Sequence, residues 1–280
     1  MLGQDFTAMA SARHEIVPLD LPEVNIIDAD AVISYVAAAK PEVVIHAAAF
    51  TAVDECERRP EVAFAVNAEG TRNVAQAAGD VGTPMLYLST DYVFDGAKPE
   101  PYNEDDATHP LGVYGKSKLE GEKAVRDLMR HYWIVRTSWL FGPLGKNFVR
   151  TILERVHAGE KLRVVDDQVG APTYTGHLAV ALEQIVLRGG WGIYHVTNQG
   201  YCSWFEFARA IVEMAGFDAS LVSPIPTSFS GRPAQRPKNS RLASTRLQKE
   251  GIDLLPPWQD GLRRYLERKP LIGSRGQTAK

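Results

Sequence analysis

Tyr114 and Lys118 stand four residues apart at the start of a helical pattern, Tyr114-Gly115-Lys116-Ser117-Lys118, so both side chains project from one face. That pairing suits carbonyl reduction. A nearby ammonium stabilises a phenolate, lowers the tyrosine pKa toward working pH and readies the phenol to give its proton to a developing alkoxide. Tyr and Lys at this spacing also meet by chance, so the surrounding chain has to decide. Leu86-Tyr87-Leu88-Ser89-Thr90-Asp91 is an apolar run ending in hydroxyl and carboxyl groups, as at the strand ends where open α/β sheets bind ligands. Thr90 would then sit at the carboxyl edge, its hydroxyl sharing the oxyanion load with Tyr114. The competing explanation is a turn cap leading into Tyr92-Val93-Phe94-Asp95-Gly96.

Other positions could hold a cofactor or an anion. Val44-Ile45-His46-Ala47-Ala48-Ala49-Phe50-Thr51 places small residues at a second strand end, where backbone can approach a flat or anionic group, or where a strand and helix merely cross tightly. His46 reads as a packing histidine. Asp20 follows a strand-like segment, where an acidic residue accepts bonds from an adenosine ribose, although a turn cap explains a lone aspartate equally. Arg236, Asn239, Ser240 and Arg241 form a basic, polar turn suited to a diphosphate through charge-assisted bonds, or a solvated cationic loop.

These residues need a scaffold. Glu42–Ala49, Met85–Thr90 and Trp133–Leu140 are short apolar runs of the kind buried on both faces of a parallel sheet. Helical patterns over residues 31–39, 60–81 and 114–130 alternate with them. The expected fold is therefore α/β, a doubly wound parallel Rossmann-type sheet. His14–Asp20 reads as a further strand, preceded by a helix-like segment over residues 2–11. Later helices are expected near 147–158, 175–188 and 203–215, with strands near 162–165 and 192–197. The Pro-, Ser- and Gly-rich stretch 223–237 reads as an ordered loop over the substrate site or a plain connector. The expected division is a dinucleotide-binding domain over 1–160, a smaller substrate lobe over 161–270 interleaved with it, and a frayed tail over 271–280.

The whole-chain properties narrow the class. The 280 residues include 45% hydrophobic and 23% charged, and the net charge is −3. No apolar run approaches the roughly 18 residues that span a bilayer, and the first residues do not form a secretory signal, so a cytoplasmic address without membrane contact is expected. The mild negative charge argues against nucleic acid as a partner. Cys56 and Cys202 are the only cysteines and lack metal-ligand neighbours, so neither a zinc site nor a disulfide is indicated.

Successive runs complete a pattern. Residues 47–54 (AAAFTAVD), 89–96 (STDYVFDG), 113–122 (VYGKSKLEGE), 136–142 (RTSWLFG), 165–173 (VDDQVGAPT) and 236–242 (RPKNSRL) together resemble the dTDP-4-dehydrorhamnose reductase family, an extended short-chain dehydrogenase/reductase group, over residues 2 to about 266. The resemblance implies reduction of the 4-keto group of dTDP-4-dehydro-β-L-rhamnose by NADPH or NADH, on the way to cell-surface polysaccharide. It implies Tyr114 as proton donor and Lys118 as the residue that tunes it and holds the nicotinamide ribose. Thr90, Asp91 and Trp139 match substrate-contacting positions, while Ala49, Phe50 and Thr51 match the cofactor wall. Asn25 and Ile26 align roughly beside the adenine. Gln168 and Thr173 are nucleotide-side candidates. An accessory Mg2+ and a homodimer complete the expectations.

The family pattern opens with an apolar strand and a glycine-rich turn, of which Met1-Leu2-Gly3 corresponds to the end, Gly3 matching the last glycine. Weakened cofactor binding is the expectation, because those amides and the helix N-terminus normally hold the pyrophosphate. Two sheet strands would also lose ladder partners, at on the order of 1–3 kcal/mol for each buried orphan group. A start assigned too far downstream is the preferred reading, a truncated inactive chain the other. Two rival functions share the architecture: a non-catalytic regulatory subunit like that of methionine adenosyltransferase, and a nucleotide-sugar epimerase or dehydratase.

Overall fold

The computed structural model describes residues 1–268. The expected tail at 271–280 lies outside them. Four parallel strands form the central sheet: Val44–His46, Met85–Thr90, Tyr132–Thr137 and Gly192–His195, adjacent in that order. Alternation along the strands sends side chains to two faces. Met85, Tyr87 and Ile134 meet Val32 and Val36 of helix Ala29–Ala39, Val74 to Ala78 of helix Thr71–Asp80, and Val125 of helix Val113–Leu128. Leu86, Leu88, Trp133 and Val135 face the opposite way, onto Leu2, Phe6 and Ala10 of helix Leu2–Ala10 and onto Leu178, Leu182 and Ile185 of helix Thr175–Arg188. The result is the helix–sheet–helix sandwich expected of a doubly wound sheet.

A second core lies beside it, built from helices Phe148–His157, Trp204–Met214 and Trp258–Arg268 and from strand Leu162–Val165, which pairs in parallel with Val222–Ile225. The stretch expected to be a loop from 223 therefore begins as a strand, then turns through a short 3-10 helix at Thr227–Phe229. Side-chain caps start the helices where the sequence provides them: Asp28 accepts from Ala31 N, Asn147 from Arg150 N, and Ser203 forms a reciprocal box with Glu206.

The strand expected at His14–Asp20 is not formed; this segment is irregular, with Ile16 and Leu19 half-buried and the rest exposed. Pro18 has no N–H to give a ladder, and the first sheet strand, Val44–His46, pairs only with Met85–Thr90 among the described residues. Its apolar residues Ile16, Val17 and Leu19 gave the run a strand-like character, but no strand among the described residues pairs with it.

One charged pair lies deep in the sandwich. Arg136 donates from Nε and Nη2 to the two carboxylate oxygens of Glu122 at 2.9 and 2.7 Å, and Ser89 donates to Glu122 at 2.5 Å. Both charged side chains are almost fully enclosed, at 3% and 1% exposure. Removing one partner strands the other's charge in the core. Arg136→Met is therefore expected to lose about 3–5 kcal/mol of unfolding free energy in urea titrations, with Arg136→Met/Glu122→Leu recovering most of it; a loss under about 1 kcal/mol for the single variant would contradict this reading.

Candidate active site

Helix Val113–Leu128 reaches the sheet edge through close glycine contacts. At Gly115 a Cβ would lie 2.1 Å from the Tyr92 carbonyl, and at Gly121 it would lie 2.3 Å from the Tyr87 hydroxyl. Only glycine lets the helix come this near the second strand. Its first turn is anchored by Glu57, which accepts from Val113 N at 2.8 Å. The helix thus holds Tyr114 and Lys118 against the carboxyl end of Met85–Thr90.

Lys118 is buried, 2% exposed, with Nζ donating to Leu88 O at 2.7 Å and lying 4.1 Å from the Tyr87 ring centroid. Burial lowers its pKa to about 7, and Glu122, one turn along the helix, acts in the opposite direction. Tyr114 is half-buried, its ring edge-on to Tyr92 at 5.5 Å. The expected downward shift of the Tyr114 phenol is not what the structure shows. Burial pushes it above its ordinary value and the Asp91 carboxylate adds to this, while the nearby Thr90 hydroxyl pulls it down. Desolvation of the phenolate is the largest cause, and the charge of Lys118 is itself suppressed by burial.

Thr90 both caps and touches the site: its Oγ1 accepts from Tyr92 N at 3.2 Å and donates to Asp91 Oδ1 at 2.9 Å. The capping and functional explanations are therefore compatible. Asp91 is 2% exposed and its Oδ2 has no hydrogen-bond partner. Burial raises its carboxyl to about 7 against the pull of Thr90 and Ser240. The Ser240 hydroxyl is near the carboxyl, but its hydrogen bond goes to Val169 O at 3.4 Å.

The wall after the first strand is fixed by Asn67. Its Oδ1 accepts from Phe50 N at 2.7 Å, and its Nδ2 donates to Phe50 O at 3.1 Å and to Ser117 Oγ at 3.0 Å. Asn67 sits in a π-helical turn, Ala65–Gly70, an irregularity frequent at functional sites. Ala49 and Phe50 are half-buried and Thr51 is exposed, so this segment is locked to the Tyr114 helix while keeping an open face. Ile26 joins the same region, its carbonyl accepting from Asn73 and its side chain pressed against Gly70.

Gly3, Asp20 and Asn25 are placed differently. Gly3 lies on the exposed face of its helix with open space beside it, Asp20 accepts from Leu21 N in an exposed turn, and Asn25 accepts from Ile27 N. No hydrogen bond among the described residues ties them to Thr90, Tyr114 or Lys118. His46 is the packing histidine expected, bonded to Thr71 and held down to about 3 by burial. Cys56, within helix Val53–Arg58, is buried and its thiol is pushed up to about 11, which leaves it unreactive.

On the substrate side Trp139 has a φ of +47° and stacks on Trp204 with ring centroids 3.5 Å apart. Gly170 fits between it and Ser240, since a Cβ there would meet Trp139 at 2.5 Å and Ser240 Oγ at 2.6 Å. A cavity of about 610 Å³ opens nearby, lined by Asp95, Gln168, Thr227, Arg232, Arg236 and Lys238 among others. Gln168 donates to Thr227 at 2.9 Å. Thr173, the other nucleotide-side candidate, is buried and donates weakly to Ala171 O at 3.3 Å. Arg236 and Arg232 both pair with Asp54, at 3.0 and 2.9 Å, so the basic loop is clamped to helix Val53–Arg58 rather than free in solvent. Asn239 spends its amide on Lys98 O and Glu100 O and its Oδ1 on Arg241, which shapes the loop. Asp54, Asn67, Tyr92 and Glu122 were given no role from sequence. Asp54, Tyr92 and Glu122 lie within the motif runs, but only the fold shows what they touch.

A parallel α/β sheet with Thr, Tyr and Lys gathered at its carboxyl edge defines the class of Rossmann-type reductases. The family described as RmlD substrate binding domain matches residues 1–270. The dTDP-4-dehydrorhamnose reductase of Sinorhizobium fredii is 40% identical over 270 residues, covering 92% of this chain and 91% of the relative. The crystal structure of dTDP-4-dehydrorhamnose reductase from Bacillus anthracis in complex with NADP superposes with a TM-score of 0.93 at 39% identity, covering 96% and 95% of the two chains. The UDP-glucose 4-epimerase of Thermus thermophilus, in complex with NAD, shares the fold with a TM-score of 0.81 at 23% identity, over 95% of each chain. The chain belongs to the dTDP-4-dehydrorhamnose reductase family.

The two shifted groups act on stability in separate pH windows. Folded Asp91 keeps its proton to about 7, whereas the unfolded aspartyl releases it near its ordinary value of 3.8, so the folded chain binds more protons in between and this contribution falls as pH rises. Folded Lys118 releases its proton near 7 against 10.5 unfolded, so above 7 its contribution rises with pH. Urea midpoints at pH 4, 5.5, 7 and 8.5 should show Asp91→Asn becoming more stable relative to wild type from 4 to 7 and no further change above; parallel profiles would contradict the assignment.

Proposed function

We propose that this chain reduces the 4-keto group of dTDP-4-dehydro-β-L-rhamnose to dTDP-L-rhamnose, using NADPH or NADH, as a step toward polysaccharide precursors. The observation that carries the reading is the gathering of Thr90 at the strand end with Tyr114 and buried Lys118 one turn apart on the helix packed against it, beside a basic cavity of a size suited to a nucleotide. Arg236 and Lys238 would meet the diphosphate, and Trp139 would lie along the apolar side of the deoxysugar. Asp91, Gln168 and Ser240 are proposed sugar and nucleotide contacts, and Asn239 holds the loop that presents them.

The residues present fit a nicotinamide cofactor on its reactive side. Lys118 spends one donor on Leu88 O and has further N–H groups for ribose hydroxyls. Asn67 fixes the Ala49-Phe50-Thr51 backbone as a wall, and Ile26 closes the region behind it. For the pyrophosphate we assign the first turn of helix Leu2–Ala10, with Gly3 leaving room, and for the adenosine end Asp20 and Asn25. A reduced nicotinamide bound there supplies the hydride. Thr90 and Tyr114 orient the ketone oxygen by hydrogen bonds, and Tyr114 gives its proton to the oxygen as negative charge develops. The raised phenol pKa keeps Tyr114 protonated before the reaction, the state a proton donor requires. Among the described residues no three His, Cys, Asp or Glu gather as metal ligands, so the residues present do not fit an Mg2+ site. No helix among them is long and apolar enough to cross a membrane. We assign the protein to the cytoplasm as a homodimer, with residues 1–160 binding dinucleotide and 161–270 closing over the sugar.

The test follows nicotinamide absorbance with dTDP-4-dehydrorhamnose. A reductase consumes one cofactor per sugar, whereas an epimerase or a non-catalytic subunit shows no net consumption. Tyr114→Phe is expected to lower kcat by roughly 10²–10⁴-fold with cofactor binding nearly unchanged, and a fully active variant would remove Tyr114 from its role.

A further inference from the structure

We propose that Asp91 is the proton reservoir of the site, restoring the Tyr114 phenol through the Thr90 hydroxyl. This rests on the reductase reading above and adds a source for the proton that each turnover consumes.

The geometry places the three groups in order. Thr90 Oγ1 donates to Asp91 Oδ1 at 2.9 Å, and the Tyr114 phenol lies near the same hydroxyl without a hydrogen bond to it, so a small side-chain adjustment during turnover completes the path. A hydroxyl both donates and accepts, which a relay requires. The Asp91 carboxyl is 2% exposed and its Oδ2 lacks any hydrogen-bond partner. An ionised carboxylate with a bare buried oxygen is costly, whereas the neutral acid loses little there. The groups facing it agree. Tyr114 approaches from helix Val113–Leu128, Ser240 from the loop after Pro237, and Tyr92 from the same turn, with Arg236 and Asp54 paired to each other behind Tyr92. Lys118 is held at Leu88 O. No lysine or arginine among the described residues hydrogen-bonds Asp91, and its carboxyl accordingly titrates at about 7.

The proton balance is simple. The Tyr114 O–H bond breaks as the sugar hydroxyl forms. With the acid proton on Oδ1, the Thr90–Asp91 hydrogen bond runs from acid to hydroxyl; the phenolate then takes the Thr90 proton while Thr90 Oγ1 takes the Oδ1 proton, so Tyr114 and Thr90 end as they began and Asp91 ends as carboxylate. Once product has left, one solvent proton restores the acid. No electrons move in these steps.

Two measurements test this. In the wild type without substrate, infrared difference spectra across a pH titration should show a protonated-carboxyl band that disappears near pH 7 and is missing from Asp91→Asn; a carboxyl already ionised at pH 5 overturns the proposal, whatever the activity. In steady-state kinetics at pH 6.5, Asp91→Asn should lower kcat by roughly tenfold or more with KM little changed. The alkaline limb of its kcat profile, to which Asp91 and Lys118 both contribute in the wild type, should become shallower. A raised KM with an unchanged kcat profile would make Asp91 a sugar contact only, and a lower kcat with the wild-type profile shape would make its role structural; either overturns the relay. A wild type inactive on this ketone would instead defeat the reductase reading, and the carboxyl titration would stand apart from it.

Discussion

The arrangement of the site depends on keeping Lys118 buried one helical turn from Tyr114. Lys118 is held between the Leu88 carbonyl and the Tyr87 ring, with the Glu122–Arg136 pair lying one helical turn farther in. Such burial is costly unless the charge is hydrogen-bonded and paired. The Leu88 hydrogen bond and Glu122 offset part of that cost, and the lowered Lys118 pKa reflects the rest. The helix closes onto the sheet at Gly115 and Gly121, which is why the strand end carrying Thr90 and the helix carrying Tyr114 are in contact at all. Ser89 and Thr90 are neighbours on the strand and serve opposite faces: Ser89 supports Glu122 inside, and Thr90 meets Tyr114 at the edge.

From this constraint the rest of the site follows in layers. Asn67 ties the Phe50 backbone to Ser117 on the same helix, so the wall after the first strand moves with Tyr114 rather than independently. Asp54 reaches across to Arg232 and Arg236 and links that wall to the loop lining the basic cavity. Gly96, with φ at +74°, passes so near Pro237 that the turn after Thr90 and the basic loop interlock. The wall after the first strand, the Tyr114 helix and the basic cavity are thus fastened to one another by side chains rather than by the sheet alone.

Much of this was legible in the sequence because it depends on periodicity and spacing. The three apolar runs became the strands at 44–46, 85–90 and 132–137, and the Tyr114/Lys118 spacing put both groups on one helix. The segment at 14–20 misled because Ile16, Val17 and Leu19 make it as apolar as a short strand, although Pro18 withdraws a donor and no strand among the described residues pairs with it. The sign of the Tyr114 shift was hidden for another reason. Spacing puts an ammonium one turn away, but desolvation depends on everything packed around the phenol, and here it is the largest cause of the shift. Partners distant in sequence, Asp54 with Arg236 and Glu122 with Arg136, leave no periodic trace. Motif positions identified the family without saying that these residues hold the site together.

The central claim is that a ketone carbon sits against the carboxyl edge with its oxygen between Thr90 and Tyr114. Transfer of deuterium from nicotinamide labelled at C4, read by NMR of the purified sugar nucleotide, tests it most directly. The account predicts the label at C4 of the rhamnose ring, in one stereochemical sense. Label at another ring carbon, or product formed without label, would contradict it.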